Sequence, residues 1–152
     1  MHVVLYEPEI PQNTGNIVRT CAATGTKLHL IKPLGFSLED KYLKRSGLDY
    51  WELAVMTVHD SFADLQALYP HGEYFFASTK RKGRYTDIKF PQDGFLVFGK
   101  ETAGLPKDLL DANPDKTMRI PMIAETRSLN LSNSVAIVLY EALRQHGFID
   151  FI

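Results

Sequence analysis

The chain is almost without cysteine. Cys21 stands alone among 152 residues, which excludes an intrachain disulfide and fits a reducing compartment. No CxxC, no HExxH and no carboxylate–histidine spacing points to a bound metal. No apolar run approaches the roughly 18 residues of a membrane span. The opening MHVVLYEPEI has no basic segment leading into a long apolar one, as a secretory signal requires. A charge excess is missing too: 17 basic and 18 acidic side chains leave a net charge of −1. No overall basic field therefore advertises nucleic acid, although a local patch suffices for it. These absences are read as a cytoplasmic protein with no membrane and no metal.

What is present is ordinary for a globular domain, with 45% hydrophobic and 23% charged residues. The length suits one domain over 1–152. Short runs rich in β-branched and aromatic residues predict strands at His2–Tyr6, Lys27–Lys32, Leu53–Val58, Tyr74–Thr79, Gly94–Phe98 and Thr117–Ile120. Helical patterns fall between them, at Thr14–Thr24, Leu38–Arg45, Phe62–Tyr69, Pro106–Ala112 and Leu131–His146. Asn13 is the expected N-cap of the first helix, with Gly25 as its stop. Ser61 and Asp64 read as a capping box. Strand–helix alternation of this kind implies an α/β fold, a mostly parallel sheet with flanking helices. In such sheets ligands gather at loops leaving the carboxyl ends of strands.

Three segments invite a functional reading beside a structural one. In FGKETAGLP (98–106), Gly99 and Gly104 permit positive φ or a close backbone approach, and Pro106 opens a helix with free N–H groups. The spacing fits neither a Walker A loop nor GxGxxG; a plain strand–turn–helix joint explains it equally well. In IPMIAETRSLNLSNS (120–134), Arg127, Ser128, Asn130, Ser132, Asn133 and Ser134 crowd the entrance to an apolar helix. Capping uses one or two such residues, so the remainder is either a generous cap or a polar wall facing a ligand. Tyr140 and Arg144 share a face of that helix, Tyr140 being as compatible with the core as with a substrate. In EPEIPQNTGNIVRTCAATG (7–25), Asn13 and Asn16 bracket Gly15, and Arg19 sits early in a helix. The macrodipole does not favour arginine there. It is either solvated or paired with a phosphate or carboxylate, which its planar fork grips with two bonds.

Basic residues cluster locally. Lys80, Arg81, Lys82 and Arg84 fall within five positions, while Lys41, Lys44 and Arg45 precede Tyr50 and Trp51. Charge interleaved with aromatics suits single-stranded RNA, though such runs are also ordinary solvated faces. The five histidines, His2, His29, His59, His71 and His146, are scattered along the chain, and none is assigned to catalysis.

Taken in order, EPEIPQNTGNIVRTCAATG, FGKETAGLP, and IPM followed by RSLNLSNSVAIVLYEALRQ resemble the three motifs of the SPOUT class of methyltransferases. The likeness is closest to the TrmL family of tRNA wobble-nucleotide 2′-O-methyltransferases, and LHLIKPLGFSLEDKYLKRSGLDYW also fits it. Residues 59 to 93 are the least family-like. The resemblance implies a carboxyl-terminal trefoil knot, which periodicity does not reveal and which folds in general avoid. It also implies a homodimer, S-adenosyl-L-methionine as cofactor, and methylation of the ribose at tRNA position 34 in the anticodon stem-loop, on cytidine or a modified uridine.

Carried onto matching positions, the resemblance assigns cofactor contacts to Ala77, Gly99, Glu101, Gly104, Ile120, Ser128 and Leu129. Arg19 becomes the catalytic arginine, with Asn130 and Ser132 orienting the ribose hydroxyl. Asn13, Asn16, Arg127 and Tyr140 contact the tRNA. A guanidinium is effectively always protonated, so a phosphate clamp suits Arg19 better than a literal base. Glu101 either offsets the sulfonium charge or hydrogen-bonds its own loop. Other readings are a non-enzymatic RNA-binding module, a small nucleotide- or flavin-binding α/β protein, and a ribosomal RNA ribose methyltransferase.

Overall fold

The structure, a computed structural model, describes residues 1–39, 41, 43, 45, 50, 52–149 and 151–152. Six strands form one sheet: β1 (His2–Tyr6), β2 (Lys27–Ile31), β3 (Met56–His59), β4 (Tyr74–Ala77), β5 (Phe95–Phe98) and β6 (Thr117–Met118). They lie in the order β3-β2-β1-β5-β4-β6, and every neighbouring pair is parallel. The described helices are α1 (Pro11–Thr24), α2 (Phe62–Leu68), α3 (Lys107–Asp111) and α4 (Leu131–Gln145). The expected parallel α/β sheet is therefore present. The trefoil knot implied by the resemblance is not visible in these pairings. The helix expected over Leu38–Arg45 runs into residues outside the described set, as do Lys44 and Trp51 of the basic–aromatic stretch.

Both sheet faces are covered, which explains strands that read as continuous apolar runs. On one face Val3, Leu5, Leu28, Leu30, Phe75, Leu96 and Phe98 pack against Ile17, Val18 and Cys21 of α1 and Val135, Val138, Leu139 and Ala142 of α4. On the other, Val4, Ile31, Tyr74, Phe76, Phe95 and Val97 meet Phe62 and Leu65 of α2 and Leu110 of α3. The alternation follows from the period of two along each strand.

Several boundaries shift for local reasons. Helix α1 begins at Pro11, not at Thr14, and its N-cap is Ile10, whose side chain makes no capping bond. Pro11 lacks only an N–H that the first turn leaves unpaired, and its φ is already helical. Asn13 is thereby moved inside the helix and freed for another partner. Strand β3 begins at Met56, since the N–H groups of Leu53 and Ala54 donate to the Tyr50 carbonyl in a turn. Strand β6 stops after Met118, and Arg119 pairs instead with the basic loop: its N–H donates to the Gly83 carbonyl. Helix α3 begins at Lys107, with Pro106 just before it. The Ser61 cap is as expected, its hydroxyl accepting the Asp64 N–H at 3.1 Å.

From β1 the chain proceeds to β2 and β3 on one side; β5, β4 and β6 lie on the other. The loops leaving β1 and β5 therefore meet at the point where the strand order reverses, the usual crevice of an open parallel sheet.

Candidate active site

The loops after β1 and β5 are clasped by reciprocal bonds. Glu9 donates its main-chain N–H to Glu101 at 2.9 Å, and the Glu9 carboxylate accepts from the Thr102 N–H at 3.0 Å and from the Thr102 hydroxyl. The Thr102 main-chain bond first, then its hydroxyl, holds the Glu9 carboxyl below its ordinary range. Lys100 pairs with Glu7 at 2.8 Å, and that bond raises the lysine above its usual value. Glu7 itself adopts φ 52, a strained conformation for a side-chain-bearing residue.

The close approach that demands glycine at position 99 is made by the chain itself. A Cβ there would lie 2.1 Å from the Gly104 carbonyl carbon and 2.2 Å from the Leu105 nitrogen. Gly104 adopts φ +72 and has open space beside it, and its N–H donates to the Lys100 carbonyl at 2.8 Å. One glycine is needed for contact and the other for conformation.

From Glu101 a row of side chains crosses to α4. The Asn13 amide donates to Glu101 at 3.0 Å, the Asn130 amide donates to the Asn13 oxygen at 2.9 Å, and the Asn130 oxygen accepts the Ser132 N–H at 2.9 Å and hydroxyl at 2.7 Å. An ionised carboxylate only accepts. It therefore forces the Asn13 nitrogen toward itself, which turns the Asn13 oxygen to Asn130 and leaves the Asn130 oxygen for the cap of α4. One negative charge sets the orientation of two amides and joins all three motifs. Glu101 also accepts the Ile10 N–H at 3.2 Å, placing negative charge at the N-terminus of α1, where the dipole favours it. Of the two roles open to Glu101, hydrogen bonding within the protein is the one these bonds display.

Above this framework lies a cavity of about 720 Å³, within the range of small-molecule sites. Ala77, Gly99, Glu101, Gly104, Ile120, Ser128 and Leu129 all line it, as do Asn13, Arg127 and Asn130. Arg19, Asn16, Ser132 and Tyr140 do not. Arg19 is exposed on α1, its guanidinium carbon 4.9 Å from the centre of the Tyr50 ring. Tyr140 is exposed rather than in the core, and Arg144 pairs with Glu141 at 2.7 Å. Asn130 has both ends of its amide committed to Asn13 and the α4 cap, so it holds the wall in place.

Lys100 and Met122, to which the sequence assigns no role, also line the cavity, as do Ser134 of the expected polar wall and Lys80 of the basic cluster. Lys100 and Met122 sat inside quoted motifs, Lys100 beside the glycine. The expected basic cluster is not uniformly available. Arg81 is paired with Asp111, which also receives Lys107, whereas Lys80, Lys82 and Arg84 are exposed. Among the described residues no group of three or more histidine, cysteine or acidic side chains is arranged to hold a metal. No helix among them is long and apolar enough to cross a membrane.

The chain is similar to known proteins over nearly its whole length. It is 54% identical to the tRNA (cytidine(34)-2'-O)-methyltransferase of Methylovorus glucosotrophus (strain SIP3-4), covering 96% of each chain. A solved structure from work on the 2-OH methylation of C/U34 on tRNA superposes with a TM-score of 0.91 at 46% identity, covering 97% of this chain and 96% of the other. AviRb from Streptomyces viridochromogenes, solved in complex with the cofactor AdoMet, superposes with a TM-score of 0.85 at 26% identity, covering 97% of this chain and 61% of that one. The sequence profile described as the SpoU rRNA Methylase family matches residues 1–140. The fold as a whole thus has its counterpart in solved structures, and the chain belongs to the SpoU rRNA methylase family.

Proposed function

We propose that this protein transfers a methyl group from S-adenosyl-L-methionine to the ribose 2′-hydroxyl of the nucleotide at tRNA position 34. The observation that carries the reading is the cavity itself: seven residues assigned to the cofactor, from four separate stretches of chain, line one space. Relatives near half identity named for this reaction favour tRNA over ribosomal RNA.

The lining fits the cofactor chemically. Apolar Phe98, Ile120, Leu105 and Leu129 suit a flat heterocycle, while main-chain groups around Gly99 and Ser128 offer polar partners. When bound, the cofactor supplies a methyl group activated on a positively charged sulfur. The chain's task is then positional, since transfer requires the acceptor oxygen in line with the methyl and sulfur. Asn13 and Asn130 hold the wall at a fixed angle. Ser132, whose hydroxyl proton goes to Asn130, retains lone pairs that accept from the ribose hydroxyl. Arg19 grips the adjoining phosphate, and the hydroxyl proton leaves through that phosphate or a water. Arg127 contacts the tRNA at the cavity's edge, and Asn16 and Tyr140 contact it outside.

A homodimer belongs to the same reading. Ile137, Tyr140, Phe148, Ile149 and Phe151 are exposed on and after α4, and grouped apolar residues of this kind favour association. The cytoplasm, where tRNA is modified, is the proposed compartment.

The test is transfer of labelled methyl from S-adenosyl-L-methionine to bulk tRNA, followed by nuclease mapping. Label on the ribose of nucleotide 34 is expected. Label on a base, or none on tRNA, overturns the proposal.

A further inference from the structure

We propose that Tyr50 is a positioning residue for Arg19: its ring holds the guanidinium in the plane from which it grips the phosphate beside the target ribose. This rests on the reading of Arg19 as a phosphate clamp.

Arg19 lies on the exposed side of α1. A helical arginine there normally sweeps a wide volume or pairs with a nearby carboxylate. Among the described residues Arg19 has no ion pair. Its recorded contact is the face of Tyr50, with Cζ 4.9 Å from the ring centre, inside the roughly 6 Å range of a cation–π contact. The distinction matters chemically. A carboxylate partner would occupy the N–H fork, whereas a ring beneath the guanidinium carbon offers no competing oxygen acceptor. The donors lie in the guanidinium plane and remain free for an incoming anion.

The backbone that carries the ring is itself anchored. Tyr50 is half-buried, and its carbonyl accepts the N–H groups of Leu53 at 3.1 Å and Ala54 at 3.0 Å, so the residue closes a turn. A side chain rooted in a turn and lying under a cation limits that cation's rotamers without competing for its anionic ligand. Tyr50 sits in the stretch read above as aromatics for base stacking, but the face it gives to Arg19 is unavailable to a base. The geometry points to a role one step removed from the RNA.

Single-turnover methyl transfer to bulk tRNA tests this in Y50A, Y50F, R19A and the R19A/Y50A double variant, with S-adenosyl-L-methionine affinity as the folding control. Y50A is expected to slow transfer about five- to tenfold, with cofactor affinity unchanged. Y50F, which keeps the ring, should stay within about twofold of the natural protein. The double variant should be no slower than R19A, since a residue acting through Arg19 has nothing left to position. If Y50A weakens cofactor binding, Y50L replaces it under the same criteria, keeping apolar volume without the aromatic face. Full activity in the ring-less variant, a Y50F as slow as Y50A, or an undiminished Y50A loss in the R19A background would each overturn the proposal alone. A fully active R19A would overturn the reading of Arg19 and this proposal together.

Discussion

The Glu101 carboxylate receives the Asn13 side-chain amide at 3.0 Å, and this bond ties the loop after β5 to the first turn of α1. The same carboxylate accepts two main-chain N–H groups, from Glu9 and Ile10. Three donors converge on a group that needs no proton of its own. Glu101→Gln replaces one acceptor oxygen with an NH₂. In one orientation that NH₂ faces the Glu9 N–H; in the other it faces Ile10 and Asn13. At least one donor is stranded either way, at a cost of about 1–3 kcal/mol. Urea unfolding should report that loss, and cofactor affinity should fall with it, because either the Glu9 clasp or the Asn13 bond that orients the row to Asn130 is broken. An unchanged urea midpoint would mean that the loops are clasped by the Glu9–Thr102 and Glu7–Lys100 contacts without Glu101.

The two glycines of the β5 loop predict different penalties. At Gly99 an added methyl meets backbone 2.1 Å away, and backbone cannot step aside without opening the Lys100–Gly104 bridge. Overpacking of this type costs about 1–3 kcal/mol or more. At Gly104 the space is open and only φ +72 resists, a strain of about 1–2 kcal/mol. Gly99→Ala should therefore raise the cofactor dissociation constant by about tenfold or more, and Gly104→Ala by less. Calorimetric titration of both variants decides the order, and a reversed order would show that the loop's shape is not what the cavity requires.

The sheet was legible because its strands are short, buried on both faces and separated by helical periodicity. The cavity was legible because the motifs carrying it follow strands β1, β5 and β6. Asn13 shows why boundaries were not: capping preference argued for it as the first residue of α1, but Pro11 starts the helix earlier and Glu101, far away in sequence, claims its side chain. Gly99 was correctly singled out, yet its neighbour is the chain and not a ligand, a long-range contact that no local pattern contains. The histidines were dismissed as scattered because cross-strand proximity depends on register, which periodicity leaves open.

Three of those histidines form a row on the face covered by α2. His2 Nδ1 lies 2.9 Å from His29 Nε2, and His29 Nδ1 lies 3.0 Å from His59 Nε2; all three are buried. Each contact needs one protonated and one bare nitrogen, so the neutral tautomers run in a single sense along the row. Burial pushes His2 down to about 4 and His29 to about 3, and lowers His59. The amino terminus and Lys27 push His2 the same way against Asp93, while Asp64 of α2 opposes the shift at His59. Tyr69 and Phe95 supply neighbouring rings. Unfolded, each imidazole titrates near 6.5. Below that value the unfolded chain takes up protons that the native state refuses. Stability is therefore full above about pH 6.5 and declines as pH falls toward 4, with a slope of up to about 1.4 kcal/mol per pH unit for each proton. Urea midpoints between pH 7 and pH 5 should show the decline, and His29→Leu should flatten it. A midpoint flat over that range would mean the row tolerates charge.

RNA affinity should depend on salt through a few identifiable side chains. With a net charge of −1, attraction to phosphate must come from a local surface, and each neutralised phosphate contributes about one to the logarithmic salt slope, or somewhat less. Lys80 and Arg127 line the cavity and are exposed. Arg81, their neighbour in the basic cluster, is held by Asp111. Lys80→Ala and Arg127→Ala should each weaken tRNA binding and reduce the slope by about one. Arg81→Ala should reduce the slope less than either, since its guanidinium is held by Asp111, which it shares with Lys107. Binding isotherms at three salt concentrations separate the cases. If Arg81→Ala reduces the slope as much as the other two, the tRNA backbone must displace Asp111 on binding, and the ion pair is a gate rather than a structural contact.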